Sequence, residues 1–261
     1  MTTMIRSPHR PYAVLTALSV ALTALALIWM AFDSRVLADS AVWAKPLKFA
    51  ISFIVFFGTL ALTEARFSPV WRQGRLFRAL HVLLSAAFVF EMSYMIFQAA
   101  QGQPSHFNYS TVFSGIMYAL MGIGATTLVV GAGVMGWAAL RDTAAAFGPA
   151  LRQGVALGFI GSCILTLITA GTMSSTSGHY IGIPQPDAAQ IPLMGWSATV
   201  GDLRPAHFVA LHLMQVLPLV GLWVDRRAGS VATVRYAALA MTLLTLGLYL
   251  QALLGLPLIR L

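Results

Sequence analysis

The sequence has very little charge for its length. Only 9% of its 261 residues are charged, whereas 58% are hydrophobic. Soluble domains are about a quarter charged, so a globule folded in water is excluded and lipid must surround most of the surface. The arginines, which dominate a net charge of +8, form short clusters between apolar runs, as in membrane loops, rather than one basic patch. Nucleic acid is therefore not an expected partner.

Cysteine is equally scarce. The chain has one, Cys163, inside an apolar run, which excludes an intrachain disulfide and a Cys-x-x-C metal or redox motif. G-x-S-x-G, Walker and H-E-x-x-H motifs are also absent. The first apolar run, from Tyr12 to Phe32, exceeds the roughly 7–15 residues of a signal-peptide core. We interpret it as a retained spanning helix.

Long apolar runs are what the sequence has in abundance. A helix needs about 20 mostly apolar residues to cross the hydrocarbon layer, and only helices or closed barrels satisfy the backbone in lipid. The runs lack the alternation of barrel strands. The sequence predicts an all-α integral membrane protein, a seven-transmembrane-helix bundle in a single domain, 1–261. The predicted spans are 12–32, 43–65, 79–100, 112–140, 155–173, 205–224 and 236–256, with a long outer loop at 174–204.

The basic residues predict the orientation of these spans. Eleven of the sixteen, among them Arg6 and Arg10, lie in the N-terminal segment and in alternate connections, and five lie on the other side. The positive-inside rule places the richer side in the cytoplasm. We therefore expect a bacterial-type inner (plasma) membrane protein with its N-terminus in the cytoplasm and its C-terminus outside.

Small residues predict where helices pack closely. The run 112–140 is rich in glycine, and the next run contains Gly154-x-x-x-Gly158. Glycines let helix backbones approach each other in lipid, where no hydrophobic force joins helices. Pro218, inside the sixth run, predicts a local kink.

Histidine and aspartate are concentrated on the predicted outer side. Imidazole suits zinc, copper and iron, so these side chains are candidate ligands of a metal ion. His207 and His212 are five residues apart, about 140° around a helix, and would not chelate as neighbours. The outer histidines are His106, His179, His207 and His212, and the outer acids are Asp33, Asp39, Asp187 and Asp202.

Glu91 is the most informative residue of the apolar runs. A bare carboxylate at that depth costs several kcal/mol, so it must be paired, protonated or exposed to water. Tyr94 and Gln98 follow on the same helical face. Its partner could be Lys48, which could instead bind an anionic ligand or extend towards lipid headgroups. A second polar arc is predicted on the sixth run, formed by Arg204, His207 and Gln215.

Three hypotheses follow. The first is an outward-facing polar pocket that binds a metal ion (zinc, copper or iron) or a small polar ligand and could serve a membrane enzyme. Its catalytic residues would be Glu91, His207 and His212, its ligand-binding residues Lys48, Tyr94, Gln98, Arg204 and Gln215, and its metal ligands His106, His179, His207 and His212. The second is a proton-coupled small-molecule transporter or channel that uses Glu91, for which His81 is the candidate towards the inner face. The third is a non-catalytic membrane assembly protein.

Overall fold

The computed structural model describes residues 11–37, 40–185 and 188–260. Arg6, Arg10, Asp39 and Asp187 lie outside them. Over this part of the chain the helices are α1 (Pro11–Phe32), α2 (Ala44–Glu64), α3 (Pro69–Arg72), α4 (Arg75–Ala100), α5 (Val112–Arg141), α6 (Pro149–Ser175), α7 (Arg204–Arg226) and α8 (Ala232–Leu253). All except the short α3 are long and apolar enough to cross a membrane. The prediction of seven apolar helices is confirmed, and these helices are compatible with a multi-pass membrane protein.

Three helices begin four to six residues earlier than predicted, all on the predicted cytoplasmic side. α4 begins at Arg75 rather than at 79, α6 at Pro149 rather than at 155, and α8 at Ala232 rather than at 236. Hydropathy marks only the part of a helix that lipid surrounds, whereas the hydrogen-bonded helix continues through its polar first turn. In α6 this turn begins with a proline, which has no N–H to leave unsatisfied.

Two of the predicted outer connections contain short antiparallel strands. β1 (Val36–Leu37) pairs with β2 (Ser40–Ala41). In the stretch predicted as a loop over 174–204, β3 (Tyr180–Ile181) pairs with β6 (Gly201–Asp202), and β4 (Gln190–Ile191) pairs with β5 (Trp196–Ser197) between them. This connection is thus one hairpin nested inside another. Strands of two residues carry no alternation that a sequence pattern could reveal.

The chain divides into two compact units, Met1–Leu128 and Val129–Leu261, with the boundary inside α5. In the first unit α1, α2 and α4 pack around aromatic side chains. The rings of Phe53, Phe57 and Phe88 have centroids 5.1–5.6 Å apart, and all three are buried. The single domain predicted over 1–261 stays a prediction.

Hydrogen bonds centred on Asp33 connect the chain segments at the predicted outer end of the first unit. The Asp33 carboxylate accepts hydrogen bonds from Arg35 and from the indole N–H of Trp43, at 2.7 Å each for the closest contact, and these bonds hold the pKa of Asp33 well below its usual range. Arg35 also donates to the carbonyl oxygen of Ala100, at 3.0 Å, at the end of α4. A cation is favoured there by the helix dipole.

In the second unit α6 and α7 pack with their backbones close together. A Cβ atom at Gly158 would lie 2.7 Å from the carbonyl oxygen of Leu213, and one at Gly221 would lie 2.5 Å from that of Ala150. Gly154 meets the backbone of Leu217 in the same way. The close approach predicted from Gly154-x-x-x-Gly158 is confirmed, and α7 is the partner helix.

Charged side chains satisfy the helix ends of this unit. Asp225, near the end of α7, accepts hydrogen bonds from the backbone N–H groups of Ala150 (3.0 Å) and Leu151 (2.8 Å) in the first turn of α6. Arg152 donates to the carbonyl oxygen of Asp142, at 2.6 Å, just after α5. Both contacts satisfy backbone groups that a helix leaves without a partner at its ends, and both match the sign of the helix dipole.

The orientation of the helices can be tested by labelling single cysteines. In a Cys163→Ala background, we expect Gln103→Cys, after α4, to react with a membrane-impermeant maleimide in intact cells. Gln73→Cys, before α4, should react only after the cells are permeabilised, because the arginine-rich connections stay in the cytoplasm. The reverse labelling pattern would overturn the predicted orientation.

The packing of α6 against α7 predicts a strong effect of one methyl group. Gly221→Ala places a Cβ within 2.5 Å of the Ala150 carbonyl oxygen, and we expect such overpacking to cost about 1–3 kcal/mol. Gly171→Ala is the matched control in α6, because nothing lies within 4 Å of its Cβ position. Alanine should be neutral there or stabilising by up to about 1 kcal/mol. Thermal unfolding in detergent measures both, and equal midpoints would contradict the close packing.

Candidate functional site

Glu91 lies in the protein interior, about 14 Å along α4 from its outer end. Only 2% of the residue is exposed. Its Oε1 has no hydrogen-bond partner among the described residues, although the backbone N–H of Ala125 on α5 acts on the carboxyl group. The carboxylate lies against Gly124 of α5, where a Cβ would come within 2.6 Å of Oε1. Any residue larger than glycine at position 124 would therefore displace the carboxylate.

The ammonium group of Lys45, in the first turn of α2, acts electrostatically on Glu91. The sequence pattern suggested Lys48, which is exposed. A cation in the first turn of a helix is disfavoured by the helix dipole, and this turn contains no acidic residue to offset it. Glu91 supplies the compensating negative charge from a different helix.

His106, in the connection after α4, is the third ionisable group of this region. Burial, and to a lesser extent the positive charge of Lys45, lowers the pKa of His106 to about 3. Its ring centroid lies 5.6 Å from that of Phe49 and 6.1 Å from that of Tyr118, and Nδ1 lies 3.1 Å from the hydroxyl oxygen of Ser105. The imidazole is therefore neutral at neutral pH.

The connection that carries His106 is fixed to the end of α4 by side-chain amides. Gln98 and Asn108 donate to the same carbonyl oxygen, that of Pro104, at 3.1 and 3.0 Å. Phe107 adopts a left-handed backbone conformation, with φ of 53°, which a residue with a side chain seldom adopts. The amide N–H₂ of Gln98, a predicted ligand-binding group, is thus used to position His106.

Tyr94 extends the buried polar face of α4 by one turn. It is 5% exposed, and its hydroxyl group has no hydrogen-bond partner in the described part of the chain. A buried polar atom without a partner costs about 1–3 kcal/mol, and such atoms are rare enough in native proteins that each needs an explanation. Glu91 and Tyr94 present two of them on one helical face. Lys45, Glu91, Tyr94 and His106 are defined here as the outer site.

Arg204, predicted to bind a ligand, is engaged within the second unit. Its guanidinium group bonds the buried carboxylate of Asp202 at 2.6 Å and donates to the carbonyl oxygen of Gly195 at the same distance. It also lies over the ring of Tyr180, 5.2 Å from the centroid. Because Asp202 accepts the backbone N–H of Ser197 as well, this ion pair holds the nested hairpins to the start of α7.

The other predicted residues of the second unit have separate surroundings. His207 Nδ1 lies 3.0 Å from the hydroxyl oxygen of Thr169 on α6. His212 Nδ1 donates to the carbonyl oxygen of Phe208, at 2.7 Å, and its ring stacks on that side chain. His179 contacts the neighbouring Tyr180 ring, and Gln215 is half-buried on α7.

The described residues contain no group of three or more His, Cys, Asp or Glu side chains that could hold a metal ion. The predicted metal ligands also fall in different units, His106 in the first and His179, His207 and His212 in the second. The metal site therefore stays a prediction. Lys45 is the residue of the outer site that sequence reasoning did not select, although it stands three residues before Lys48 in the same polar turn.

Comparisons of the chain with protein-family models, with curated proteins and with solved structures found no match in any of the three. Function is therefore inferred from geometry and physical chemistry.

The outer site predicts an unusual pH response of His106. Its folded-state pKa of about 3 lies below the ordinary 6.5, so the unfolded chain binds this proton more tightly than the folded protein does. The folded state should accordingly lose stability as the pH falls from about 6.5 towards 3, and His106→Gln should remove that part of the loss. NMR of ¹⁵N-labelled histidine should show a neutral ring at pH 6.

The variant Lys45→Met separates the two causes of the lowered pKa of His106, burial and the charge of Lys45. Removing the ammonium group should raise the pKa of His106, but burial should keep it below 6.5. A protonated His106 imidazole at pH 6 in the unaltered protein would contradict the described environment.

Proposed function

We propose that this protein is a proton-translocating protein of the inner (plasma) membrane, with its N-terminus in the cytoplasm, and that Glu91 binds and releases the translocated proton. The observation that carries the proposal is the Glu91 carboxyl group, whose buried Oε1 has no hydrogen-bond partner in the described part of the chain while the charge of Lys45 acts on it. Ionisable groups within membrane-spanning helices commonly belong to ion pathways and proton relays.

Two opposing effects make Glu91 suitable for this role. Burial of a carboxyl group disfavours its charged form, whereas a nearby ammonium group favours it. When Lys45 is close, the proton can leave and the carboxylate is stabilised; when Lys45 moves towards the outer surface, the carboxylate takes up a proton. Each cycle forms and breaks one O–H bond at Glu91 and needs no change in electron count.

His106 supports this balance by staying neutral. A second positive charge beside Lys45 would hold Glu91 permanently in its ionised form, and burial of the imidazole prevents that. Neutral imidazole has one nitrogen that donates and one that accepts a hydrogen bond, so it can connect water at the outer surface to the site without adding charge.

The pocket for a metal ion or polar ligand has less support from the contacts. Three of its four candidate histidines use Nδ1 for contacts with Ser105, Thr169 and the Phe208 carbonyl oxygen, Arg204 is paired with Asp202, and the described residues contain no group of three possible metal ligands. In the outer site, by contrast, Glu91 and Tyr94 have buried polar atoms without a partner among the described residues. Proton translocation uses such atoms, whereas a structural role would leave them as a net cost.

Potential-driven proton uptake by lipid vesicles containing the purified chain tests the proposal. With a pH-sensitive dye inside the vesicles, Glu91→Gln should reduce the protein-dependent flux at least tenfold, because the amide cannot release a proton. Ser93→Ala, an exposed position on the same helix, should keep the flux unchanged. A flux in Glu91→Gln equal to that of the unaltered protein, or no flux in the unaltered protein, would overturn the proposal.

The position of the carboxylate can be tested without removing it. Gly124→Ala introduces a Cβ within 2.6 Å of Glu91 Oε1, whereas the Cβ of Gly122→Ala, two residues earlier on α5, meets nothing within 4 Å. We expect the flux to fall several-fold in Gly124→Ala and to be unchanged in Gly122→Ala. Equal fluxes would show that the packing of Glu91 against α5 is unimportant for translocation.

A further inference from the structure

A second group of ionisable side chains lies at the opposite end of the first unit. Glu64 is the last residue of α2, and its Oε1 lies 2.7 Å from Nε2 of His81 on α4. The Glu64 side chain is 12% exposed and that of His81 16%, so both are largely buried but keep some access to the surface. The predicted orientation places this end of the helices towards the cytoplasm.

Tyr12 of α1 completes this group. The residue is fully buried, and the edge of its ring contacts the His81 ring, with centroids 4.9 Å apart and planes at 76°. Its hydroxyl group interacts electrostatically with Glu64, yet has no hydrogen-bond partner among the residues described. Tyr12, Glu64 and His81 are defined here as the inner site.

A charged Glu64 destabilises α2 because of its position in the helix. A negative charge in the last turn of a helix is disfavoured by the helix dipole, and that turn contains no basic residue. Lys45 is disfavoured at the first turn for the same reason. Each of these α2 residues interacts with a residue of α4: Glu91 acts electrostatically on Lys45, and the His81 ring forms a hydrogen bond with Glu64.

Aromatic side chains lie between the positions of the two sites along these helices. Phe53 and Phe57 of α2 contact Phe88 of α4, with the paired rings nearly perpendicular, and Phe57 also stacks on Tyr12 at 6.2 Å. His81 and Glu91 are ten residues apart on α4, about 15 Å. A proton cannot cross that distance in one step, and apolar constrictions of this kind control the entry of water into membrane pathways.

We propose that the inner site is a second proton-binding site, which exchanges protons with water on the cytoplasmic side. It exchanges them with Glu91 through water molecules that enter between Phe53, Phe57 and Phe88, the phenylalanine cluster. The inference rests on the proposed function, and it assigns the inner end of the pathway. A proton from water forms an O–H bond with Glu64 or an N–H bond with His81, and it can pass between them across their 2.7 Å contact. The Tyr12 hydroxyl can accept one proton and donate its own to a bridging water, so no electrons are transferred.

The unpartnered hydroxyl of Tyr12 separates this proposal from a structural role. If the inner site only joined three helices, phenylalanine at position 12 would fill the same volume without burying a polar atom, and the protein would lose nothing. If the hydroxyl carries protons, Tyr12→Phe must slow translocation while leaving the fold intact. The two roles therefore predict different results for the same variant.

The experiment compares proton flux and thermal stability in vesicles containing Tyr12→Phe, Glu64→Gln or Glu91→Gln. We expect the flux to fall at least threefold in Tyr12→Phe and at least tenfold in Glu64→Gln, with the unfolding midpoint of Tyr12→Phe unchanged or raised. Tyr236→Phe, an exposed tyrosine of α8, is the matched control and should show unaltered flux.

The outcomes distinguish the two proposals. Unaltered flux in Tyr12→Phe and Glu64→Gln, together with lost flux in Glu91→Gln, would overturn the inner site and leave the proposed function standing. Unaltered flux in Glu91→Gln would instead overturn the proposed function, and the inner site with it. If Glu64→Gln does not fold, Tyr12→Phe decides, since its flux at the unaltered rate would by itself overturn the inference.

Discussion

The first unit depends on interactions between ionisable side chains of α2 and α4. α2 has a lysine in its first turn and a glutamate as its last residue, each opposite in sign to what the helix dipole favours. In lipid neither charge can be left alone. α4 supplies a neighbour for each, Glu91 near its predicted outer end and His81 near its predicted inner end. The relative position of the two helices is thus constrained at both ends, and the phenylalanine cluster fills the space between the pairs.

This arrangement differs from the way the second unit uses its polar residues. There Asp225 accepts two backbone N–H groups of α6, and Asp202 with Arg204 joins the nested hairpins to α7. These groups have their partners, and their contribution is structural. The outer and inner sites contain Glu91, Tyr94 and Tyr12, each with a buried polar atom that has no partner among the described residues, whereas the second unit has one such atom, in Thr166. Atoms of that kind reduce stability, so each needs an explanation.

The sequence predicted most of the helical fold and some of the residues of the candidate site. It predicted the seven apolar helices and the close packing at Gly154 and Gly158, and it singled out Glu91 because a carboxylate is expensive in an apolar run. It suggested Lys48 as one possible partner of Glu91, whereas the charge that acts on Glu91 is that of Lys45, and it did not select Tyr12 or Glu64. Lys45 and Lys48 lie only about 60° apart around a helix, so the rotation of α2 decides which of them acts on Glu91.

The number and approximate extent of the helices follow from the sequence alone, because the thickness of the hydrocarbon layer sets a length that apolar runs must match. Which side chains interact depends on the tertiary structure: Lys45 acts electrostatically on Glu91, Glu64 contacts His81, and Arg204 contacts the nested hairpins. Helices that are apolar on nearly every side carry almost no pattern that fixes their rotation. Their contacts depend on packing and on a few charges whose partners lie far away along the chain.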